Sequence, residues 1–225
     1  MSRALVIAID GPAGVGKSTV ARALAAHLGY RHVDTGAMYR VVGLAARTRG
    51  VDPADAPALA TLAAGLAFEL VPAADGQRVL LDGRDVTAAL RTPEAGECAS
   101  RVATVAPVRA ALVARQRTLA AQGGIVMDGR DIGTVVLPDA DCKFFLTASV
   151  AARAERRRGD LAGGGPAPAV AAVRREIEAR DRRDRARAHS PLRAARDAVV
   201  IDTTALDPAA VLARMLEEVA ARARP

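Results

Sequence analysis

Asparagine and tryptophan are absent from this 225-residue chain, cysteine occurs twice, and tyrosine and phenylalanine together occur five times. Cys98 and Cys142 lie far apart without a metal-ligand spacing, so neither a disulfide framework nor a zinc site is expected. Long uncharged apolar runs are also missing. The stretch Ala4 to Ile9 ends at Asp10, far short of the ~20 residues of a membrane span. The N-terminus lacks the basic, apolar and small-residue order of a signal peptide, and the expectation is a cytoplasmic protein without a membrane partner. What is present is 51% hydrophobic and 25% charged, which excludes wholesale disorder and allows a sizeable core.

Lysine is the informative scarcity. Of 32 basic residues only Lys17 and Lys143 are lysine, so a lone arginine in this chain says little and a well-placed lysine says much. Lys17 falls in GPAGVGKST at 11–19, where Gly11, four residues, Gly16, Lys17 and Ser18 satisfy the P-loop pattern. The apolar, β-branched run ALVIAI before it reads as a strand buried on both faces of a parallel sheet. Helical periodicity follows at Val20, Leu24 and Leu28, and Gly29 can close that helix. In such a loop Gly11, Pro12, Ala13, Gly14, Val15, Gly16, Lys17, Ser18 and Thr19 wrap the phosphates of a nucleoside triphosphate, with backbone N–H groups and a helix N-terminus aimed inward. Lys17 is expected at the β- and γ-phosphates and Ser18 on Mg²⁺. Regulatory GTPases normally read guanine through an Asn-Lys-x-Asp segment, which a chain without asparagine cannot supply. No apolar strand ending in Asp-Glu points to a motor ATPase, and a small kinase remains.

Apolar stretches at Gly124–Met127, Cys142–Leu146 and Ala198–Ile201, with a short segment at Arg31–Val33, read as further strands. Helical stretches are expected near Gly36–Arg49, Pro107–Gln122, Val150–Arg158, Val170–Ala188 and Pro208–Arg222. The alternation predicts a doubly wound parallel α/β core, with Asp34, Asp128 and Thr147 at strand ends facing the phosphates. Two segments interrupt it. From Leu66 to Thr87, AFELV and QRVLL flank AADG and precede a short DVT, which reads as an inserted antiparallel hairpin unit. LDGRDVT at 81–87 resembles MDGRDIGT at 127–134, but follows a hairpin strand and reads as a turn, so Arg84 and Asp85 are expected to be structural. Gly159–Pro168 reads as a flexible loop between basic helices.

Between Arg153 and Arg196 lie 13 arginines and six acids. Three readings compete: a solvated helix face with i,i+4 pairs such as Arg180–Asp184, a nucleic-acid surface, and a hinged lid over transferring phosphates. Interleaved acids and the lack of stacking aromatics count against nucleic acid, and the glycine-rich loop favours the lid.

The chain resembles the bacterial cytidylate kinases, within the nucleoside monophosphate kinases. The likeness runs through GPAGVGKST, DTGAMYR at 34–40, SRVATVAPVR at 100–109, MDGRDIGTVVLPDA at 127–140, FLTASVAARAERR at 145–157, ARDRRDRARAHSPL at 179–192 and DAVVIDTT at 197–204. It implies a P-loop kinase core at 1–34, 104–149 and 190–225, an inserted α+β acceptor-binding lobe at 35–103 and a helical lid at 150–189. It also implies Mg²⁺-dependent transfer of the ATP γ-phosphoryl to CMP or dCMP, and a monomer. By the resemblance Arg40 and Arg130 hold the CMP phosphate, and Arg187, with Arg153 and Arg157, reaches the transferring phosphate. Ser100, Arg109 and Asp131 read cytosine, Asp131 by accepting from its 4-amino group; Thr35, Arg180 and Asp184 contact the sugar. Guanidinium forks suit bidentate phosphate contact. His27, His32 and His189 are expected at the surface or in packing, as are Met38 and Tyr39. A kinase for another small acceptor, or a basic nucleic-acid-binding protein with an ancillary ATPase, are the rival readings.

Overall fold

The computed structural model describes residues 4–73, 76–162 and 168–223. Its core is a five-stranded parallel sheet of β1 (Val6–Asp10), β2 (Arg31–Asp34), β6 (Ile125–Gly129), β7 (Cys142–Thr147) and β8 (Val199–Asp202), in the order β2-β6-β1-β7-β8. Alternation decides the faces: Ile7 and Ile9 pack with Leu24, Phe144 and Met215, while Ala8 packs with Val33, Met127 and Ile132 on the other side. Helices α1 (Lys17–Leu28) and α8 (Pro208–Ala223) cover the first face. The register sets Asp34 beside Asp128 and Asp10 beside Gly129, so three aspartates end three adjacent strands at the carboxyl edge, where ligands of this architecture bind.

A second apolar cluster lies in the segment between β2 and β6. It joins α2 (Thr35–Thr48), α3 (Ala56–Gly65), α4 (Pro93–Val102) and α5 (Ala106–Ala120) to an antiparallel sheet of β3 (Phe68–Ala73), β4 (Gly76–Leu81) and β5 (Arg84–Asp85). The hairpin unit expected there is present, with its last strand at Arg84–Asp85 rather than at DVT. The sequence reading did not foresee α3 or α4. Each starts on its own cap: Asp55 accepts from the Ala58 N–H at 2.9 Å, and Thr92 accepts from the Ala95 N–H at 3.2 Å, each ahead of a proline in the first turn. Gly43 of α2 lets α4 come close, because a Cβ there would sit 2.8 Å from the Cβ of Cys98.

After β7 come α6 (Val150–Ala162) and α7 (Val170–Ala186), packed together through Ala154, Val173 and Ile177. The loop expected at Gly159–Pro168 begins later than expected, since 159–162 continue α6; residues 163–167 lie outside the described segments. Arg183 of α7 makes a two-pronged pair with Glu97 of α4, at 3.0 and 2.6 Å, fastening this helical pair to the inserted unit.

Candidate active site

Gly11 leaves β1 at a point where a Cβ would lie 2.3 Å from the Leu146 carbonyl oxygen, so only glycine lets the loop pass this close to β7. The loop then enters α1 at Lys17. The Lys17 Nζ donates to the Pro12 carbonyl at 2.7 Å across the loop. Burial, and then the Arg130 charge, lower its pKa well below the usual lysine range. An anionic phosphate would relieve both effects.

Asp128 sits at the end of β6 and is held on three sides. Ser18 Oγ donates to its Oδ2 at 2.8 Å, His32 Nε2 pairs with its Oδ1 at 2.8 Å, and Thr35 Oγ1 donates to its backbone carbonyl at 2.8 Å. Ser18 and Asp128 therefore place two hard oxygen donors at the start of α1. Beside them Asp10 accepts from the backbone N–H groups of Ile132 and Gly133, both at 2.8 Å; burial nevertheless pushes it up to about 7. Ile132–Val136 form a π-helical turn, in which Leu137 N–H donates to the Ile132 carbonyl at 2.7 Å.

The P-loop opens into a cavity of about 520 Å³ lined by eight basic side chains and five acidic ones, a surplus that favours phosphate. All the predicted acceptor-side residues line it: Thr35, Arg40, Ser100, Arg109, Arg130, Asp131, Arg180 and Asp184, together with Arg157 and Arg187. Acids hold the guanidiniums in place. Arg40 donates to Asp34, Arg109 to Asp131, and Asp184 accepts from Arg130 Nε at 3.0 Å and from Arg187. Burial alone would raise Asp184, but Arg130, Arg187 and Arg180 outweigh it and its carboxyl titrates below the usual range. Arg180 is pulled down to about 10 by burial and then by Arg130. Asp131 goes the other way, raised by burial against the pull of Arg109.

These couplings order the cleft. Arg130 and Arg180 are close enough to Lys17 to lower its pKa, and Asp184, Arg109, Arg130 and Asp131 all act on Arg187. Among the described residues the buried Nε groups of Arg40, Arg180 and Arg187 and the Ser100 hydroxyl find no partner, an arrangement that a polar, anionic ligand would satisfy. Ser100, Arg109 and Asp131 are deeply buried lining residues of the cleft, 3–5% exposed.

Arg153 stands apart. It is 2% exposed, pairs with Asp181 at 3.1 and 2.7 Å, and donates to the carbonyls of Ala13 at 3.2 Å and Ala148 at 3.1 Å, tying α6, α7 and the P-loop together. The Arg180–Asp184 pairing is not what the helix uses, since Asp184 turns to Arg130 and Arg187. Sequence reasoning set Asp34 at a strand end facing the phosphates but did not pair it with Arg40, did not single out Asp181, and left His32 to surface or packing where the structure puts it on Asp128. The i,i+2 spacing of His32 and Asp34 on β2 is the one local signal that both point to the same side. His27 and His189 are exposed, and Met38 and Tyr39 are buried, Tyr39 also lining the cleft beneath the Arg109 guanidinium.

A parallel sheet with a phosphate loop at its carboxyl edge and an arginine-lined cleft beside it is a P-loop kinase architecture. The family model described as cytidylate kinase matches residues 7–221. A cytidylate kinase of Exiguobacterium sibiricum is 52% identical over 94% of this chain and 95% of its own length, and one of Pelotomaculum thermopropionicum is 51% identical over 97% of each. The chain belongs to the cytidylate kinase family. Among solved structures, an uncharacterized protein from Eubacterium ventriosum shares the fold alone, at 12% identity and a TM-score of 0.52, over 97% of this chain and 99% of that one.

Proposed function

We propose that the protein transfers the γ-phosphoryl group of ATP to CMP or dCMP, giving ADP and the cytidine diphosphate. The observation that carries this reading is that one cleft is lined by the P-loop, by Ser100, Arg109 and Asp131, and by Arg40, Arg130, Arg157, Arg180 and Arg187. The ATP phosphates lie along 11–19, with Lys17 on the β- and γ-groups. The CMP phosphate lies against Arg40 and Arg130, and the sugar against Thr35, Arg180 and Asp184. Asp131 accepts from the cytosine amine, while Arg109 and the Ser100 hydroxyl donate to the ring acceptors. Uracil would turn its O4 acceptor toward the Asp131 carboxylate, leaving a buried group unpaired, and UMP is rejected on that ground.

The attacking oxygen belongs to an already anionic phosphate, so the chemistry needs alignment and charge neutralisation more than a base. Arg187 and Arg157 supply charge to the transferring group, and Arg153 holds the P-loop in position without touching phosphate. Mg²⁺ fits the residues present: Ser18 Oγ and the Asp128 carboxylate are hard donors, and no cluster of three or more acidic, histidine or cysteine side chains among the described residues forms a cage. That suits an ion that keeps its waters and takes its other ligands from the nucleotide. When bound it neutralises charge on the phosphates. The functional test is ADP formation from ATP with CMP, dCMP, UMP, AMP, GMP, TMP or no acceptor. Turnover confined to CMP and dCMP is expected; equal turnover with UMP would remove the base-reading assignment, and acceptor-independent turnover would remove the kinase.

A further inference from the structure

Asp128 binds to more than the P-loop. Its two carboxylate oxygens are divided between partners from different elements, Oδ2 accepting from Ser18 at the start of α1 and Oδ1 facing Nε2 of His32 on β2, each at 2.8 Å. A carboxylate only accepts, so Nε2 carries the proton in this pair, and Nδ1 is left buried without a partner. A histidine side chain only 10% exposed, held through one nitrogen, has the geometry of a clamp. The backbone of Asp128 is fixed independently by Thr35 Oγ1, which leaves the rotation of the carboxylate to be set by Ser18 and His32. That rotation matters, because Lys17, next to Ser18 in the chain, lines the same cleft as Asp128 and offers it a competing cation. An Asp128 free to swing toward Lys17 would release Ser18 and take a carboxylate oxygen away from the nucleotide's metal.

We infer that His32 is a positioning residue for the reaction. It holds Asp128 so that the Ser18 hydroxyl and the second carboxylate oxygen present a paired oxygen site to the Mg²⁺–nucleotide phosphates. Removing a group that orients a metal ligand typically lowers metal affinity or activity by about 10- to 100-fold. The inference rests on reading the site as one for Mg²⁺-nucleotide phosphoryl transfer, and on no particular acceptor base.

The test compares the unaltered protein with His32→Leu, which removes the donor, and His32→Gln, which restores an N–H near the Nε2 position. Three quantities are measured: steady-state kinetics with CMP, ADP affinity by calorimetry with Mg²⁺ and with EDTA, and the thermal midpoint. For His32→Leu the expectation is a kcat lower by about 10-fold or more with KM for CMP within about twofold, on the scale of such ligand-orienting losses. Its gain in ADP affinity on adding Mg²⁺ should shrink, while affinity in EDTA stays unchanged. His32→Gln should recover the Mg²⁺ gain. Three results would overturn the inference: wild-type kcat and Mg²⁺ gain in the leucine variant, equal loss of ADP affinity with and without Mg²⁺, or a folded glutamine variant that recovers nothing. Should the leucine variant fail to fold, His32→Phe carries the same expectations with the ring volume kept. The ADP arm remains decisive even if CMP proves not to be the acceptor.

Discussion

Ser100→Ala separates a binding role from a structural one more sharply than any other single change in the cleft. The hydroxyl sits on α4, in a residue 3% exposed, and finds no hydrogen-bond partner among the described residues. A buried hydroxyl left unpaired costs about 1–3 kcal/mol of stability, so alanine should leave the ligand-free protein as stable as before or more so. In a chain of this size each kcal/mol shifts the thermal midpoint by about 2–4 °C. A midpoint unchanged or raised by a few degrees is the expected calorimetric result. With CMP bound the balance reverses, because a neutral hydrogen bond contributes about 0.5–1.5 kcal/mol, or roughly a 2- to 12-fold change in an equilibrium. The kcat/KM for CMP should therefore fall by that factor, mainly through KM. A variant that melts several degrees lower while keeping its kcat/KM for CMP would refute the reasoning and return Ser100 to the role of an ordinary helix residue.

Lys17→Met removes the cation from the phosphates and should lower kcat by about 100-fold or more, the scale of losing one preorganised charge donor, without lowering the thermal midpoint, since the lysine is buried and its charge disfavoured; undiminished turnover would contradict it. Arg153→Met strands the buried Asp181 carboxylate and should destabilise by about 3–5 kcal/mol, seen as a midpoint lower by on the order of 10 °C. The double variant Arg153→Met/Asp181→Leu should regain most of that loss, and a single variant melting like the wild type would show that the pair holds nothing. Asp184 titrates below its unfolded value, so its stabilising effect is complete above about pH 4 and is lost as pH falls through the lower, folded-state pKa. Urea denaturation at pH 6 and pH 3 should show the wild type losing more stability than Asp184→Asn over that interval; equal losses would mean that Arg130 and Arg187 do not depress this carboxyl.

Much of this site could be read before the fold, for reasons that differ residue by residue. Lys17 and Ser18 stand in a pattern whose chemistry is local, with strand, loop and helix consecutive in the chain. The parallel order of strands could likewise be read from short apolar runs separated by helices. Ser100, Arg109 and Asp131 come from α4, α5 and the turn after β6, and nothing local unites them; only likeness to a family brought them together. Helices α3 and α4 were missed because APALATLAAG and PEAGECASRV offer small residues in place of a clear apolar stripe, although Asp55 and Thr92 with their prolines carried the start signals. The pairings by which acids steer the arginines were missed for a different reason. Asp34, Asp181 and Asp184 pair across turns and between elements, and an arginine-rich sequence offers many plausible partners for each. Arg153 illustrates the consequence: family likeness put it at the transferring phosphate, and the fold buries it against Asp181 beside the P-loop.

Phosphoryl transfer between two nucleotides is the reaction that the cleft's lining supports. Its most direct test is ³¹P NMR of ATP, CMP and Mg²⁺ with the enzyme, followed to completion. CDP and ADP should appear one for one, without inorganic phosphate. ADP accumulating with inorganic phosphate while CMP stays unchanged would contradict it.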